Sequence, residues 1–262
     1  MKNITSRDNA LFKELRHLAG SSQARRKTGK TLLDGVHLCS AYLQHGGMPD
    51  LCVISDAALD HAEVRSILDT CKTPGMVICL PDQMYQQLSQ VENGVGIFFV
   101  VKTPEPELPA GISENAVILD QLQDPGNMGS LLRSAAAAGI RHIFCSPGTV
   151  FAWSPKVMRA GMGAHFMLSI YENADLSEVL KAATIPVLAT SSHTTQTIYQ
   201  TPLNQPVAWL FGHEGQGVSK DLMDMATHCV TIPQHPGIES LNVAASAAIC
   251  FFEQVRQNSL TA

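Results

Sequence analysis

The stretch that decides the fold covers residues 124–139 and reads DPGNMGSLLRSAAAAG. It follows the apolar run AVIL at residues 116–119 and leads into an alanine-rich segment. The pattern predicts a buried strand, a glycine-containing turn and the beginning of a helix, in that order. Because the first turn of a helix presents unpaired backbone N–H groups, this order is typical of a site for an anion or a nucleotide.

Two common nucleotide motifs do not fit this stretch. A dinucleotide fingerprint needs G-x-G-x-x-G and an acidic residue about twenty positions later. Gly126 and Gly129 have no third glycine at the required offset, and the region near position 149 reads SPGTVFAW. The stretch also lacks the G-K-[ST] of a P-loop. What remains is Asn127 and Arg133, whose spacing on a helix suits them to hold different parts of one substrate. The alternative for Arg133 is an ordinary helix arginine paired with a surface acid.

Composition limits the class of protein. A chain of 262 residues with 45% hydrophobic content is long and apolar enough for one large domain or two ordinary ones. The N-terminus has no signal-peptide core and no window is long enough for a membrane span, so we expect a cytoplasmic protein that does not bind membranes. The seven cysteines form no C-x-x-C pair and the ten histidines form no H-x-x-x-H pair. Reduced core thiols and no metal site are therefore expected.

Charge is unevenly distributed along the chain. The net charge of −5 argues by itself against a nucleic-acid partner. However, eight basic and only two acidic residues lie between Lys2 and Lys30. Such a cluster attracts phosphates locally even on an acidic chain, while the alternative is a solvated helix face. Charge alone does not decide between the two.

Residues 102–115 have the composition of a linker, with three prolines and three glutamates. This predicts one domain over residues 1–105 and another over 113–262. In the first, helical periodicity covers residues 10–20, 31–47, 60–71 and 82–91, and strands are expected at 51–55, 76–80 and 96–101. This alternation predicts a small α/β layer fold.

The second domain alternates more regularly. Strands are expected at residues 116–120, 141–146, 166–171, 185–191, 206–212 and 228–233, and helices at 128–139, 154–163, 175–184 and 241–258. Apolar strands separated by helices predict a mostly parallel sheet that is covered on both faces. Ligands of such sheets bind in the loops beyond the carboxyl ends of the strands.

Two further loops of the second domain are rich in glycine and polar residues. In FGHEGQGVS, residues 211–219, Glu214 stands among three glycines whose backbone can approach a ligand closely. The alternative is a plain turn into a helix with Ser219 as its N-cap. IPQHPGIESLNV, residues 232–243, brings Ser240 and Asn242 to the start of a long helix, where capping alone would explain both.

Taken together, these loops resemble a known family. N-x-G-x-x-x-R at 127–133, G-x-E-x-x-G-x-S at 212–219, and I-P followed by E-S-L-N-V at 232–243 are similar to the three ordered motifs of SpoU/TrmH-type RNA ribose 2′-O-methyltransferases of the SPOUT superfamily. SPKVMRAGMGAHF at 154–166 lies where that family has a fourth motif. The resemblance covers essentially the whole second domain.

The resemblance implies a fold, a cofactor and a set of site residues. The fold is α/β, with a mostly parallel C-terminal sheet containing a trefoil knot, preceded by a small α/β RNA-binding domain of ribosomal-protein-like fold. The cofactor is S-adenosylmethionine, bound in the knot, and the reaction is methyl transfer to a ribose 2′-hydroxyl. The implied catalytic residues are Arg133, Asn127, Glu214, Ser240 and Asn242. The implied cofactor-binding residues are Gly212, Ile232, Leu241, Thr190 and Ser191.

The resemblance also implies partners. SRDNALFKELRHL, residues 6–18, is similar to the RNA-binding domain that many of these enzymes carry in front. The implied RNA-binding residues are Arg7, Lys13, Arg25, Arg26 and Lys27. Ribosomal RNA is favoured over transfer RNA because of this extra domain. Family members are homodimers in which the catalytic arginine can serve the partner's site.

The third motif departs from the family pattern. Relatives commonly have I-P-M-x-G, whereas this chain has IPQHPG, with Gln234 for the methionine and Gly237 one place late. That loop lines the cofactor pocket in the family, so the departure bears on cofactor binding. A second hypothesis follows, namely a non-catalytic RNA-binding protein that retains the fold.

Overall fold

The computed structural model describes residues 1–91 and 94–259, and the chain divides into two compact units. The first unit contains Met1–Pro104 together with Trp153–Phe166, and the second contains Glu105–Ala152 and the chain from Met167 onward. The last three residues of the predicted domain 113–262 lie outside the described residues.

In chain order, the helices are α1 Ala10–Gly20, α2 Ser22–Thr28, α3 Val36–His45, α4 Ala62–Thr70, α5 Asp82–Tyr85, α6 Pro125–Ala137, α7 Pro155–Gly161, α8 Leu176–Lys181, α9 Lys220–Met225 and α10 Val243–Ser259. The strands are β1 Lys2–Asn3, β2 Lys30–Asp34, β3 Leu51–Ser55, β4 Val77–Leu80, β5 Ile97–Lys102, β6 Ala116–Leu119, β7 His142–Cys145, β8 Ser169–Tyr171, β9 Val187–Thr190, β10 Ala208–Phe211 and β11 His228–Val230.

The first unit is built on a mixed five-stranded sheet in the order β1-β4-β3-β5-β2. The predicted helix over 31–47 is wrong in its first part, because Lys30–Asp34 forms β2 and pairs antiparallel with β5. Almost every residue of β2 is buried, so its apolar run shows no alternation that would mark a strand. Gly35, with φ of 105°, then allows the chain to turn directly into α3.

Helix α1 covers one face of this sheet. Phe12, Leu15 and Leu18 recur at helical spacing and are buried against strand residues such as Val53 and Phe98. The side chain of Asn9 begins the helix by accepting a hydrogen bond from the Leu11 N–H at 3.0 Å. The apolar residues whose spacing predicts α1 are therefore also the residues that pack this helix against the sheet.

The position of Arg25 differs from the one expected for an RNA-binding residue. Its side chain is only 6% exposed, and Nη1 donates to the carbonyls of Leu18 and Ala19 at 2.6 and 3.0 Å. These carbonyls lie in the last turn of α1, where the helix leaves them without partners. Burial lowers the pKa of Arg25. Arg25 is thus a structural residue that closes α1, and it is not placed to contact RNA.

The segment Trp153–Phe166 packs with the first unit, although it was expected in the domain 113–262. Thr31 Oγ1 donates to the carbonyl of Trp153 at 2.6 Å. A side chain at Gly163 would place its Cβ 2.8 Å from the Cβ of Ala41, and the rings of Phe166 and Tyr42 meet edge to face at 5.2 Å. The fourth family motif is therefore a structural part of the first unit.

The second unit contains a six-stranded, fully parallel sheet in the order β11-β9-β10-β6-β7-β8, which confirms the predicted architecture. Its strands are buried on both faces, as continuous apolar runs require. Strands β7 and β8 lie on one side of β6. On its other side lie, in spatial order, β10, β9 and β11. The loops after β6, β9, β10 and β11 consequently share one edge of the sheet.

Two capped helices complete that edge. Asp124 begins α6 by accepting a hydrogen bond from the Asn127 N–H at 2.8 Å, with Pro125 at the first helical position. Asn242 begins α10 by accepting from the N–H groups of Ala244 and Ala245 at 3.0 and 3.2 Å. Helices α6 and α10 pack against each other. The cap of α6 thus fixes the backbone of Asn127, and the cap of α10 fixes the side chain of Asn242, and both are predicted site residues.

No helix among the described residues is long and apolar enough to cross a membrane. The seven cysteines are free thiols, and all but Cys229 are buried. The described residues contain no cluster of histidine, cysteine and carboxylate side chains that could hold a metal ion.

The role of Arg25 is testable. Replacing it with methionine removes both hydrogen bonds to the end of α1 while keeping an unbranched side chain. The free energy of unfolding should fall by about 1–3 kcal/mol, measured by urea denaturation. The matched control Lys27→Met, at an exposed position of α2, should change it by less than about 0.5 kcal/mol. Equal stability of R25M and wild type, together with weaker RNA binding, would restore Arg25 to the RNA-binding surface.

Candidate active site

The loop after β10 is a tight glycine turn. His213 and Gly217 exchange backbone hydrogen bonds of 3.0 and 2.8 Å, and Gly217 has a φ of 73°. A Cβ built on Gly212 would lie 2.0 Å from the carbonyl carbon of Gly217. No side chain fits in that space, so residue 212 must be glycine for the loop to close. The turn projects Glu214 away from the end of the strand.

Glu214 holds this loop against the start of α6. Its carboxylate accepts hydrogen bonds from the N–H groups of Gln123 and Asp124 at 3.1 and 2.9 Å, and from Asn127 Nδ2 at 3.1 Å. Burial acts to raise the pKa of Glu214, but these hydrogen bonds outweigh it and hold the pKa below its ordinary value. These hydrogen bonds therefore favour the charged carboxylate and occupy three of its roughly four acceptor sites.

Asn127 connects Glu214 to the third motif. It donates to Glu214 through Nδ2 and accepts through Oδ1 from Asn242 Nδ2 at 2.8 Å. Since Asn242 Oδ1 caps α10, both amides are fixed in orientation. One chain of hydrogen bonds thus joins the three sequence motifs, although Asn127 and Asn242 are separated by 115 positions.

These motifs enclose a cavity of about 730 Å³. It opens beyond the carboxyl ends of β9, β10 and β11, where ligands of parallel sheets bind. Its volume lies within the usual range for sites of small ligands and cofactors. All five predicted cofactor-binding residues and four of the five predicted catalytic residues line it, namely Thr190, Ser191, Gly212, Ile232, Leu241, Asn127, Glu214, Ser240 and Asn242.

Hydrogen bonds between strand ends fix the residues that follow β9 in the cavity wall. Ser191 N–H donates to the carbonyl of Val230 at 3.0 Å, and Thr190 Oγ1 donates to the carbonyl of Leu210 at 3.2 Å. The predicted residues at the end of β9 therefore occupy rigid positions next to β10 and β11.

Four other lining residues, His193, His213, Gln234 and Glu239, were not among the predicted site residues. Gln234 had been identified only as a departure from the family pattern, in the loop that the resemblance expects to line the cofactor pocket. His213 Nδ1 accepts a hydrogen bond from the Gly215 N–H at 2.9 Å, which places the proton of a neutral ring on Nε2. His213 lies within the second motif and Gln234 and Glu239 within the third, so proximity to the motif was the available signal. His193 has no such signal, because it follows β9 outside any motif.

Arg133 lies apart from the other predicted catalytic residues. It is exposed on α6 and does not line the cavity. Six residues along an α-helix correspond to about 9 Å of rise and about 240° of rotation, so Arg133 and Asn127 face different directions. Among the described residues its guanidinium has no hydrogen-bond or ion-pair partner. A single chain therefore does not bring Arg133 into the cavity.

The remaining predicted RNA-binding residues belong to the first unit. Arg7, Lys13, Arg26 and Lys27 are exposed, in contrast to the buried Arg25. Lys13 forms a surface ion pair with Asp8 at 3.0 Å. Pairs of this kind contribute little to stability, so Lys13 can exchange this partner for a phosphate at small cost.

The site matches a family model. Residues 114–252 match the model of the SpoU rRNA Methylase family, and the chain belongs to that family. The chain is 30% identical to an uncharacterized tRNA/rRNA methyltransferase of Synechocystis, over 97% of this chain and 94% of the relative. It is 29% identical to a 23S rRNA guanosine 2′-O-methyltransferase of Bacillus subtilis, over 96% of this chain and 98% of that protein.

A solved structure supports the same assignment. The SpoU methyltransferase AviRb from Streptomyces viridochromogenes, in complex with the cofactor AdoMet, superimposes with a TM-score of 0.87 at 25% identity. The match covers 96% of this chain and 98% of AviRb. The predicted membership of the SpoU/TrmH family is thereby confirmed.

The glycine turn generates a prediction with an internal control. Gly212→Ala forces the loop apart and should lower the free energy of unfolding by about 2 kcal/mol or more. Gly215→Ala meets its nearest neighbour, the His213 ring, at 3.7 Å, an ordinary contact. This variant should stay within about 0.5 kcal/mol of wild type. Thermal and urea denaturation measure both, and equal effects of the two substitutions would contradict the steric account of Gly212.

Proposed function

We propose that this protein transfers a methyl group from S-adenosylmethionine to a ribose 2′-hydroxyl of ribosomal RNA. The observation that carries the proposal is the cavity enclosed by the three motifs and fixed by the Glu214–Asn127–Asn242 hydrogen bonds. Family membership supports it, as does the activity for which the Bacillus subtilis relative is named, which aligns over nearly the whole chain.

The cavity fits the proposed cofactor. It has sufficient volume, and its wall combines apolar side chains such as Leu241 and Ile232 with polar side chains and with backbone at strand ends. Gly212, Ile232, Leu241, Thr190 and Ser191 would hold the cofactor. When bound, S-adenosylmethionine supplies an electrophilic methyl group on a sulfonium. The proposal extends to the chain path, for which the family implies a trefoil knot around this site.

The 2′-hydroxyl must lose its proton as its oxygen attacks the methyl carbon, so the site needs a base or a stabiliser of the alkoxide. Glu214 is a poor base, because its carboxylate already accepts three hydrogen bonds and its pKa is lowered. A guanidinium stays protonated in proteins, so Arg133 does not remove the proton either. We assign to Arg133 the stabilisation of the forming alkoxide and a grip on the adjacent phosphate.

The position of Arg133 supports a homodimer. An arginine that is exposed on α6 and outside its own cavity is free to enter the cavity of a second copy. Helix α10, which packs on α6, exposes the large apolar side chain of Phe252, at 48%, on a surface that a second copy would cover. We propose that two chains pair through this face and exchange their Arg133 side chains.

The RNA substrate is proposed from the first unit. Arg7, Lys13, Arg26 and Lys27 give it an exposed basic face on an otherwise acidic chain. Ribosomal RNA is favoured because the Bacillus relative, matched over nearly its whole length, is named for 23S rRNA. Transfer RNA is the alternative substrate. Ribosomal RNA matures where ribosomes are assembled, so the proposed location is the cytoplasm.

Mapping of ribose methylation in total RNA from cells with and without the gene tests the activity and the substrate together. Loss of one 2′-O-methyl mark in ribosomal RNA on deletion is the expected result. A loss confined to transfer RNA would keep the chemistry and overturn the substrate. An unchanged map, with no cofactor binding at millimolar concentration, would favour the non-catalytic RNA-binding alternative.

The role of Arg133 is tested with mixed dimers. R133A alone should retain less than one tenth of the methyl-transfer rate while its cofactor affinity stays within a few fold. Co-expression of R133A with L241W, which fills its own cavity and keeps the Glu214 hydrogen bonds at α6, should restore about a quarter of the wild-type rate, because random pairing makes half of the dimers mixed and each has one complete site. If the arginine and the open cavity had to come from one chain, the mixture would stay inactive. Inactive mixed dimers would thus overturn the exchange of Arg133.

A further inference from the structure

The proposed reaction needs an acceptor for the proton of the 2′-hydroxyl. Arg133 does not take it, because a guanidinium stays protonated, and Glu214 already accepts three hydrogen bonds. Among the described residues, the other titratable side chains that line the cavity are His193, His213 and Glu239. These three side chains are the candidates for the proton acceptor.

The ring of His213 is engaged with its own loop. Its Nδ1 accepts the hydrogen bond from the Gly215 N–H at 2.9 Å, so the neutral ring carries its proton on Nε2. In this state neither ring nitrogen has a free lone pair for a proton from the substrate. Protonation of Nδ1 would break the hydrogen bond to Gly215. His213 can therefore donate a hydrogen bond to a ligand, but it is a poor proton acceptor.

Glu239 is less well suited than a histidine by its chemistry. A carboxylate is a much weaker base than an imidazole, and a general base is most effective when its pKa lies near the working pH. Imidazole is the side chain that ordinarily titrates in that range. The comparison therefore favours His193 over Glu239.

His193 has an anchored backbone and an available ring. Its N–H donates to Ser191 Oγ at 3.1 Å, and the Ser191 N–H donates to the carbonyl of Val230 at 3.0 Å. The next residue, Thr194, donates from Oγ1 to the carbonyl of Cys229 at 3.4 Å. The turn that carries His193 is thus tied to β11 on both sides of this residue.

The imidazole of His193 itself has no hydrogen-bond or ion-pair partner among the described residues. It lines the cavity and is exposed to solvent. A ring nitrogen is consequently available to accept a proton from a bound substrate, and water can carry that proton away afterwards.

We propose that His193 is the general base of the methyl transfer. This inference rests on the proposed function. The 2′-oxygen forms a bond to the methyl carbon while its proton passes to a ring nitrogen of His193. The bond between sulfur and the methyl carbon breaks, and its electron pair stays on sulfur, which leaves S-adenosylhomocysteine as the second product. The imidazolium then releases its proton to water. Arg133 stabilises the charge on the oxygen, and His193 removes the proton.

The proposal fixes the sign of a pH dependence. Only a neutral imidazole accepts a proton, so the rate should fall as the pH is lowered through the range in which imidazoles titrate. The other titratable groups that face this cavity are His213, Glu214 and Glu239. The pKa of Glu214 is lowered, so this carboxylate titrates below that range. His213 and Glu239 are distinguished from His193 by their own variants.

The test measures single-turnover methyl transfer to ribosomal RNA from cells that lack the gene, between about pH 5.5 and 9. The wild-type rate should rise with pH and then level off. H193Q, which has no basic nitrogen, should lose about a hundredfold at neutral pH and should no longer level off. Its affinity for S-adenosylmethionine, measured by isothermal titration, should stay within a few fold of wild type. H228Q removes an exposed histidine at the amino end of β11 and is the matched control, which should retain the wild-type profile.

A second variant separates a base from a structural residue. H193A removes the ring from a position that solvent reaches, and added imidazole should raise its rate at least about tenfold. With a series of substituted imidazoles, the restored rate should increase with the pKa of the added base. A purely structural role of His193 would not produce this dependence.

The contrary outcomes are distinct. If H193Q kept more than about one third of the wild-type rate, the assignment of the base would be overturned. A wild-type rate that does not fall at low pH would overturn it as well, as would restored rates in H193A that are independent of the pKa of the added base. Loss of the pH dependence in H213Q or E239Q, with H193Q unchanged, would move the role to that residue. If wild type bound no S-adenosylmethionine and methylated neither ribosomal nor transfer RNA, the proposed function itself would fail, and the inference with it.

Discussion

The carboxylate of Glu214 is the interaction on which the site depends. It accepts hydrogen bonds from the N–H groups of Gln123 and Asp124, which immediately precede α6, and so lies at the positive end of the helix dipole. A strand, a turn and a helix start in this order suggest an external anion, but in this protein the anion is an internal side chain. The N-terminus of α6 therefore binds a side chain of the protein itself and has a structural role. The ligand cavity lies on the other side of Glu214, beyond the ends of β9, β10 and β11.

The parallel sheet makes this contact possible. Strand β10 lies directly beside β6, with Phe211 opposite Leu119, so the loop after one strand meets the helix that follows the other. On the other side of β10 lies β9, followed by β11, and these two strands add Thr190 and Ile232 to the same edge. Residues 90 positions apart, such as Asp124 and Glu214, are thus brought within hydrogen-bonding distance without any local signal in the sequence. Gly212 is needed for the same reason, since the loop must return tightly to place Glu214 in that contact.

The sequence predicted the alternation of strands and helices and the parallel sheet, because burial on both faces leaves local marks. The residues of the cavity wall were implied by the family resemblance of the three motifs. It failed where the deciding contact is distant. The helix expected through Lys30–Asp34 is a strand because β5 pairs with it, and Arg25 belongs to the core because two carbonyls of α1 need a donor. A count of basic residues cannot tell a buried arginine from an exposed one. Likewise, nothing in SPKVMRAGMGAHF shows that this segment packs with β2 and α3 rather than with its sequence neighbours.

The hydrogen-bond network also limits how the proposed reaction can proceed. Asn127, Glu214 and Asn242 direct their polar groups to one another and to helix starts, so they define the shape of the cavity and leave little capacity for the substrate. A carboxylate with a lowered pKa is a weak base, and among the described residues no lysine or arginine side chain lines the cavity to stabilise an alkoxide. On the proposed mechanism that charge must come from outside, and Arg133 is exposed on the helix whose first turn the network fixes. The network would then have two roles. It shapes the cavity of its own chain, and it fixes the helix whose Arg133 enters the cavity of the second chain. On this mechanism, pairing of two chains is required for the reaction and is more than an aid to stability.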